Sequence, residues 1–89
     1  MVEQATHLPE QTRFECETLG GLAELEYQVD GSRIVFTHTF VPPEARGRGI
    51  AEKLVRAGLE YARQARLKPT ATCSYVVTFL QRHPEFLET

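Results

Sequence analysis

The chain has 89 residues, 42% of them hydrophobic and 25% charged, with a formal net charge of −2. This length holds one domain with a modest core, because a chain of this size buries only about two-thirds of its unfolded surface. The composition excludes a disordered chain, and the negative balance disfavours a general nucleic-acid binder or a ligand of anionic membranes.

Residues 1–10 are polar, contain Pro9 and read as a loose lead-in. Arg13-Phe14-Glu15-Cys16-Glu17 alternates as a first strand, with Phe14 and Cys16 toward the core. Gly20-Gly21 turns the chain. Leu22 to Val29 then alternates again, with Ala23, Leu25, Tyr27 and Val29 on one side. Asp30-Gly31 is a strong hairpin signal. It leads into a strand over 34–41, almost all β-branched or aromatic. On simple alternation His38 shares a face there with Ile34, Phe36 and Phe40. Pro42-Pro43 stops that strand.

A helical period follows from Ile50 to about residue 66. Ile50, Leu54, Ala57/Gly58, Tyr61 and Ala65 oppose Glu52, Lys53, Arg56, Glu60, Arg63 and Gln64. Lys68-Pro69 resets the chain, and 70–73 is a short fourth strand. Ser74 caps a second helix that runs to about His83, where Pro84 ends it. Phe86 docks the tail. The strand–helix–strand passage makes the strands at 34–41 and 70–73 parallel neighbours, joined by a right-handed crossover. The fold class is α+β: four mostly antiparallel strands with one parallel pair, and two helices.

Arg46-Gly47-Arg48-Gly49-Ile50-Ala51 links the third strand to the first helix. A helix start leaves amides unpaired at the positive end of the macrodipole, and glycine lets an anion approach the backbone. With Arg46 and Arg48 beside it, the turn fits a phosphate or pyrophosphate. It equally fits a plain exposed turn with solvated arginines. Local basic charge from Arg46, Arg48, Lys53 and Arg56 suits a small anion better than a polymer.

Arg46-x-x-Gly49-x-Ala51 after a strand resembles the signature of the GNAT acyl-CoA N-acetyltransferase superfamily. HTFVPPEARGRGIAEKLV, followed by TCSYV and HPEF, is similar to its minimal YjdJ-like branch of small single-domain proteins. The resemblance covers about residues 13–86. It implies a single GNAT-like domain over 1–89 that uses acetyl-CoA or coenzyme A as co-substrate. In that fold the two parallel strands splay, and pantetheine lies between them like an added strand. Carried onto this chain, Phe40 and Val41 offer backbone partners to pantetheine. The amides of Arg46, Gly47, Arg48, Gly49, Ile50 and Ala51 hold the pyrophosphate, although Ala51 in place of glycine leaves less room.

Cys73 ends the fourth strand at a helix N-terminus, where a thiol pKa falls. It reads either as a nucleophile that attacks the thioester or as a small buried hydrophobe. His38 reads either as a satisfied core histidine or as a proton acceptor for the thiol or an amine. Thr39 is by default an exposed hydroxyl. Tyr75 resembles the tyrosines that bond the thioester or leaving thiolate in larger relatives, with packing against Phe79 as the other reading. His83, with Glu85, terminates a helix, and Cys16 belongs to the core.

The leading expectation is an N-acetyltransferase acting on an amine, through direct attack or a Cys73 acyl-enzyme. The alternative is a non-catalytic CoA-binding or protein-interaction module on the same fold. A Rossmann-type dinucleotide site fails, because Glu52 stands where the third glycine belongs and there is a single crossover. Larger relatives carry N-terminal helices on the acceptor side and this chain has strands there. The acceptor pocket is therefore expected to be shallow and open, suited to a protein side chain or terminus, or completed by a partner chain. Monomer and homodimer both remain open. There is no CxxC or Cys/His metal spacing, so no metal is expected. No apolar signal core or roughly 18-residue span is present, and the expected setting is a reducing cytoplasm with no membrane partner.

Overall fold

A computed structural model describes residues 4–87. Five strands form one sheet in the order β1 (Thr6–Leu8), β2 (Arg13–Thr18), β3 (Gly21–Asp30), β4 (Arg33–Phe40) and β5 (Lys68–Ala71). The first four pair antiparallel, and β4 and β5 pair parallel. Helix α1 (Ile50–Gln64) is the crossover, and α2 (Ser74–Arg82) follows β5. The α+β class holds, with two corrections. A fifth strand lies in the expected lead-in: Thr6–Leu8 pairs with Glu15–Arg13 at the sheet edge. Strand β5 spans Lys68–Ala71 rather than 70–73, so Cys73 lies beyond its end; proline is tolerated at an edge, and Pro69 pairs with Ile34.

Phe14, Cys16, Ala23, Leu25, Tyr27, Ile34 and Phe36 point from the sheet into one buried cluster. Ile50, Leu54, Val55, Leu59 and Ala62 of α1 join it, as do Val76, Phe79 and Leu80 of α2. Both helices therefore cover the same face of the sheet. Gly58 permits the close approach of α1: an added Cβ would lie 2.7 Å from Phe36 Cε1 and 3.0 Å from Leu25 Cδ2. Val29 has the alternation of a core residue but is exposed near the end of β3.

The decisive irregularity is in β4. Glu26 pairs with His38 while Tyr27 pairs with Phe36, so Thr37 is an extra residue. Its hydroxyl donates to the Glu26 carbonyl at 3.3 Å. A bulge of this kind shifts the alternation by one residue. Before it, Ile34 and Phe36 face the helices. After it, Thr39 opposes buried Leu25 and Val41 packs on the core, while His38 and Phe40 turn out. The expected placement of His38 with Ile34 and Phe36 is thereby corrected.

Candidate functional site

The parallel ladder closes only as far as Phe36–Ala71. Past it, the amides of Thr72 and Cys73 both donate to the Phe36 carbonyl, at 3.0 and 3.2 Å, and β5 is over. Strand β4 runs on to Phe40. Beyond Phe36 strand β4 therefore has no ladder partner in β5, which leaves a wedge at the carboxyl ends of two parallel strands, the position at which α/β sheets take ligands.

Beside the wedge stands the glycine turn. Gly47 (φ +82°) and Gly49 (φ +76°) are both left-handed, and a Cβ at either would meet nothing within 4 Å. Gly49 is the N-cap of α1 and supplies no capping side chain. Lys53 is the residue whose amide reaches the Gly49 carbonyl, at 3.0 Å. The amides of Ile50, Ala51 and Glu52 thus precede the first intrahelical bond. Glu52 could have capped the helix from its first turn, but its carboxylate is held by Arg56 at 2.8 Å. Arg46 Nε donates to the Val41 carbonyl at 3.0 Å, which ties the turn to the strand end. Arg48 is exposed, and the Ile50 side chain is buried in the core, which leaves its amide as the group facing the turn. A pocket of about 260 Å³ occupies the junction, lined by Val41, Arg46, Gly47, Gly49, Ala51 and Tyr75 among others.

Cys73, rather than the expected Ser74, is the N-cap of α2, half-buried at the base of the wedge. Thr39 Oγ1 lies 3.3 Å from its sulfur. Burial raises the pKa of this thiol. The Thr39 hydroxyl and the amides of Val76, Tyr75 and Thr39 outweigh it, so the value lies below that of an ordinary cysteine. This is the environment that favours a thiolate.

Cys73 thus meets Thr39, which sequence reasoning ranked below His38. His38 is exposed on the other face. Phe40 is 40% exposed beside it. Tyr75 is 41% exposed and lines the pocket. Phe79, the alternative partner for its ring, lies tilted against His83 instead (4.4 Å) and near Phe86 (5.9 Å). Burial raises the Tyr75 pKa and Glu52 adds to it, against Arg82. His83 closes α2 as its C-cap, 3.5 Å from Glu85. Cys16 lies in the core. Among the described residues no group of three or more His, Cys, Asp and Glu is arranged to hold a metal ion. No helix of the described residues is long and apolar enough to cross a membrane.

A family model described as GCN5-related N-acetyl-transferase matches residues 13–89. The chain belongs to the GCN5-related N-acetyltransferase family. Among curated relatives, Protein NATD1 of Homo sapiens is 41% identical over 69 residues, which cover 74% of this chain and 61% of that protein. Protein NATD1 of Danio rerio is 38% identical, covering 74% and 63%. The chain therefore spans about three-fifths of the length of these relatives. A GCN5-like protein of Staphylococcus aureus, solved in solution, superposes with a TM-score of 0.74 at 30% identity, over 93% of this chain and 82% of that one. The open parallel pair and the uncapped glycine turn are thus features of a small member of this N-acetyltransferase family.

Proposed function

We propose that this domain binds acetyl-CoA in the wedge and transfers the acetyl group to an amine. The observation that supports this reading most is a β4 that outruns the ladder's end at Phe36–Ala71 and is tied at Val41 to the turn before an uncapped helix start. The backbone of Phe40 and Val41 takes the pantetheine arm as a strand would. The amides from Arg46 to Ala51, with the two guanidinium groups, take the pyrophosphate. Tyr75 walls the pocket on the α2 side. The thioester carbonyl carbon then comes close to Cys73 and Thr39.

In the direct route the neutral amine attacks that carbon, the carbon–sulfur bond breaks and CoA leaves as a thiolate. The proton released by the amine passes to His38 on the bare face or to solvent. The environment of Cys73 favours a second route with the same outcome. Its thiolate attacks first, CoA leaves, and the amine then takes the acetyl group from Cys73.

Thermal unfolding with acetyl-CoA, CoA and NAD side by side tests the binding. A ligand at about a hundred times its dissociation constant adds about 2.7 kcal/mol. Stabilisation by both CoA species and not by NAD is expected, and its absence for both CoA species removes the reading. Acetyl-labelled CoA then separates the routes: label retained on Cys73 and lost in Cys73→Ser marks the acyl-enzyme. Binding without transfer to any amine leaves a CoA-binding module instead of an enzyme.

A further inference from the structure

Both helices pack on one face of the sheet, and among the described residues no helix packs on the other. That bare face has an uneven composition. Strands β2 and β3 point Glu15, Glu17, Glu24 and Glu26 outward along with Arg13, because Phe14, Cys16, Ala23, Leu25 and Tyr27 point in. Arg13 pairs with Glu15 at 2.8 Å and with Glu24 at 3.4 Å, so one guanidinium serves two carboxylates. The paired rows run Glu15–Glu24–Phe40 and Arg13–Glu26–His38 across β2, β3 and β4. Leu22 and Phe40 lie at the glycine-turn end of the same face and are 44% and 40% exposed. Arg33 and Lys68 pair at the opposite end, away from the wedge.

We infer that this face docks a lysine-rich peptide segment, and that such a segment is the acceptor. The inference rests on the acetyltransferase reading above and names its substrate class. Charge complementarity carries it: net acidic rows next to two exposed apolar side chains match a cationic, partly apolar chain. The bulge at Thr37 makes the match productive. It turns His38 and Phe40 toward the bare face at the level where Thr39 and Cys73 meet on the other side of β4. A lysine amine drawn to Glu24 and Glu26 therefore lies beside the opening, with His38 next to it to accept a proton.

The test uses the ¹⁵N-labelled 89-residue chain, titrated with short peptides of alternating lysine and glycine, serine and glycine, or glutamate and glycine. The lysine peptide is expected to move the amides of Glu24, Glu26, His38 and Phe40, and to bind more weakly as salt is raised. Glu24→Gln with Glu26→Gln is expected to weaken that binding about three- to tenfold. The same variant should leave acetyl-CoA-induced shifts at Gly47 to Ala51 unchanged. Equal binding of the serine peptide overturns the inference, as does undiminished affinity in the double variant. Concentration-dependent shifts on these residues without peptide also overturn it, because they make the face an interface between copies of the chain. Acetyl-CoA that moves no amide of the turn removes the underlying acetyltransferase reading, whatever the peptides do.

Discussion

At the β1–β3 end of the sheet the rings of His7, Phe14, Tyr27 and Tyr61 have centroids between 4.2 and 6.2 Å apart, and His7 Nε2 meets the Tyr27 hydroxyl at 2.6 Å. At the β4–β5 end, by contrast, the ladder stops at Phe36–Ala71 and the amides at the start of α1 face a pocket of about 260 Å³. One end buries Phe14 and Tyr27 and joins His7 to the Tyr27 hydroxyl; the other leaves backbone donors available beside a shaped space. In so small a domain the closed end must supply the stability that lets the open end stay unfilled. Substitutions at the two ends should accordingly separate folding from ligand binding.

The largest effect is expected at the closed end. Tyr27 is 2% exposed and touches the rings of His7, Phe14, Phe36 and Tyr61. Tyr27→Ala should cost about 3–5 kcal/mol, the range for an emptied aromatic site. In urea unfolding this is a large downward shift of the midpoint; a loss below about 1 kcal/mol would mean the closed end is not the stabilising one. Gly49→Ala comes next. The new Cβ meets open space, so its cost is the φ of +76°, about 1–2 kcal/mol. It should also reduce stabilisation by acetyl-CoA well beyond that of Tyr27→Phe, a change that leaves the turn untouched.

Most of the closed end could be read from the chain, because its signals are local. Phe14, Cys16, Ala23, Leu25 and Tyr27 alternate cleanly, Asp30-Gly31 marks the hairpin, and Ile50, Leu54 and Gly58 keep a helical period, although Val55, Leu59 and Ala62 complete the buried face and Ala65 is exposed. The three-residue β1 escaped because so short an edge strand has no period of its own. At the open end, Gly47 and Gly49 announced the turn, but the facing of β4 did not survive the bulge. Thr37, Thr39, His38 and Phe40 all suit a strand, so nothing in residue type reveals one extra residue. The signal available was a parity conflict: Ile34 and Phe36 are inward at even positions, yet Val41, which must reach the turn, is odd. Pairing with β3 resolves that conflict at Thr37, and it exchanges His38 for Thr39 beside Cys73.

Thr39→Val probes that exchange with a smaller effect. It keeps shape and removes the hydroxyl that faces the Cys73 sulfur. Without that donor the burial contribution gains weight, and the thiol pKa should rise. Alkylation of Cys73 by iodoacetamide, followed against pH, should then show its midpoint displaced upward and a slower rate at neutral pH. The urea midpoint should barely move. His38→Gln should leave the alkylation profile where it was, because His38 faces away from the sulfur; an equal displacement in both variants would restore His38 to the thiol.

The smallest effect belongs to His7, and its direction follows from linkage. Burial holds this imidazole below its ordinary value of 6.5. Between the lowered value and 6.5 the unfolded chain binds more protons than the folded one, and stability then rises with pH. The contribution is complete above about 6.5 and is lost as the pH falls toward the lowered value. Because the ring is only half-buried, solvent screens much of the effect, and the loss should be a modest part of the total. Urea midpoints from about pH 7 down to pH 5 should fall in the parent chain and fall less in His7→Gln, before the carboxylates begin to contribute. Thr39→Val should keep the parent slope, since Thr39 belongs to the other end of the sheet. A slope that flattens in Thr39→Val and persists in His7→Gln would mean that the open end, rather than the ring cluster, couples folding to protons.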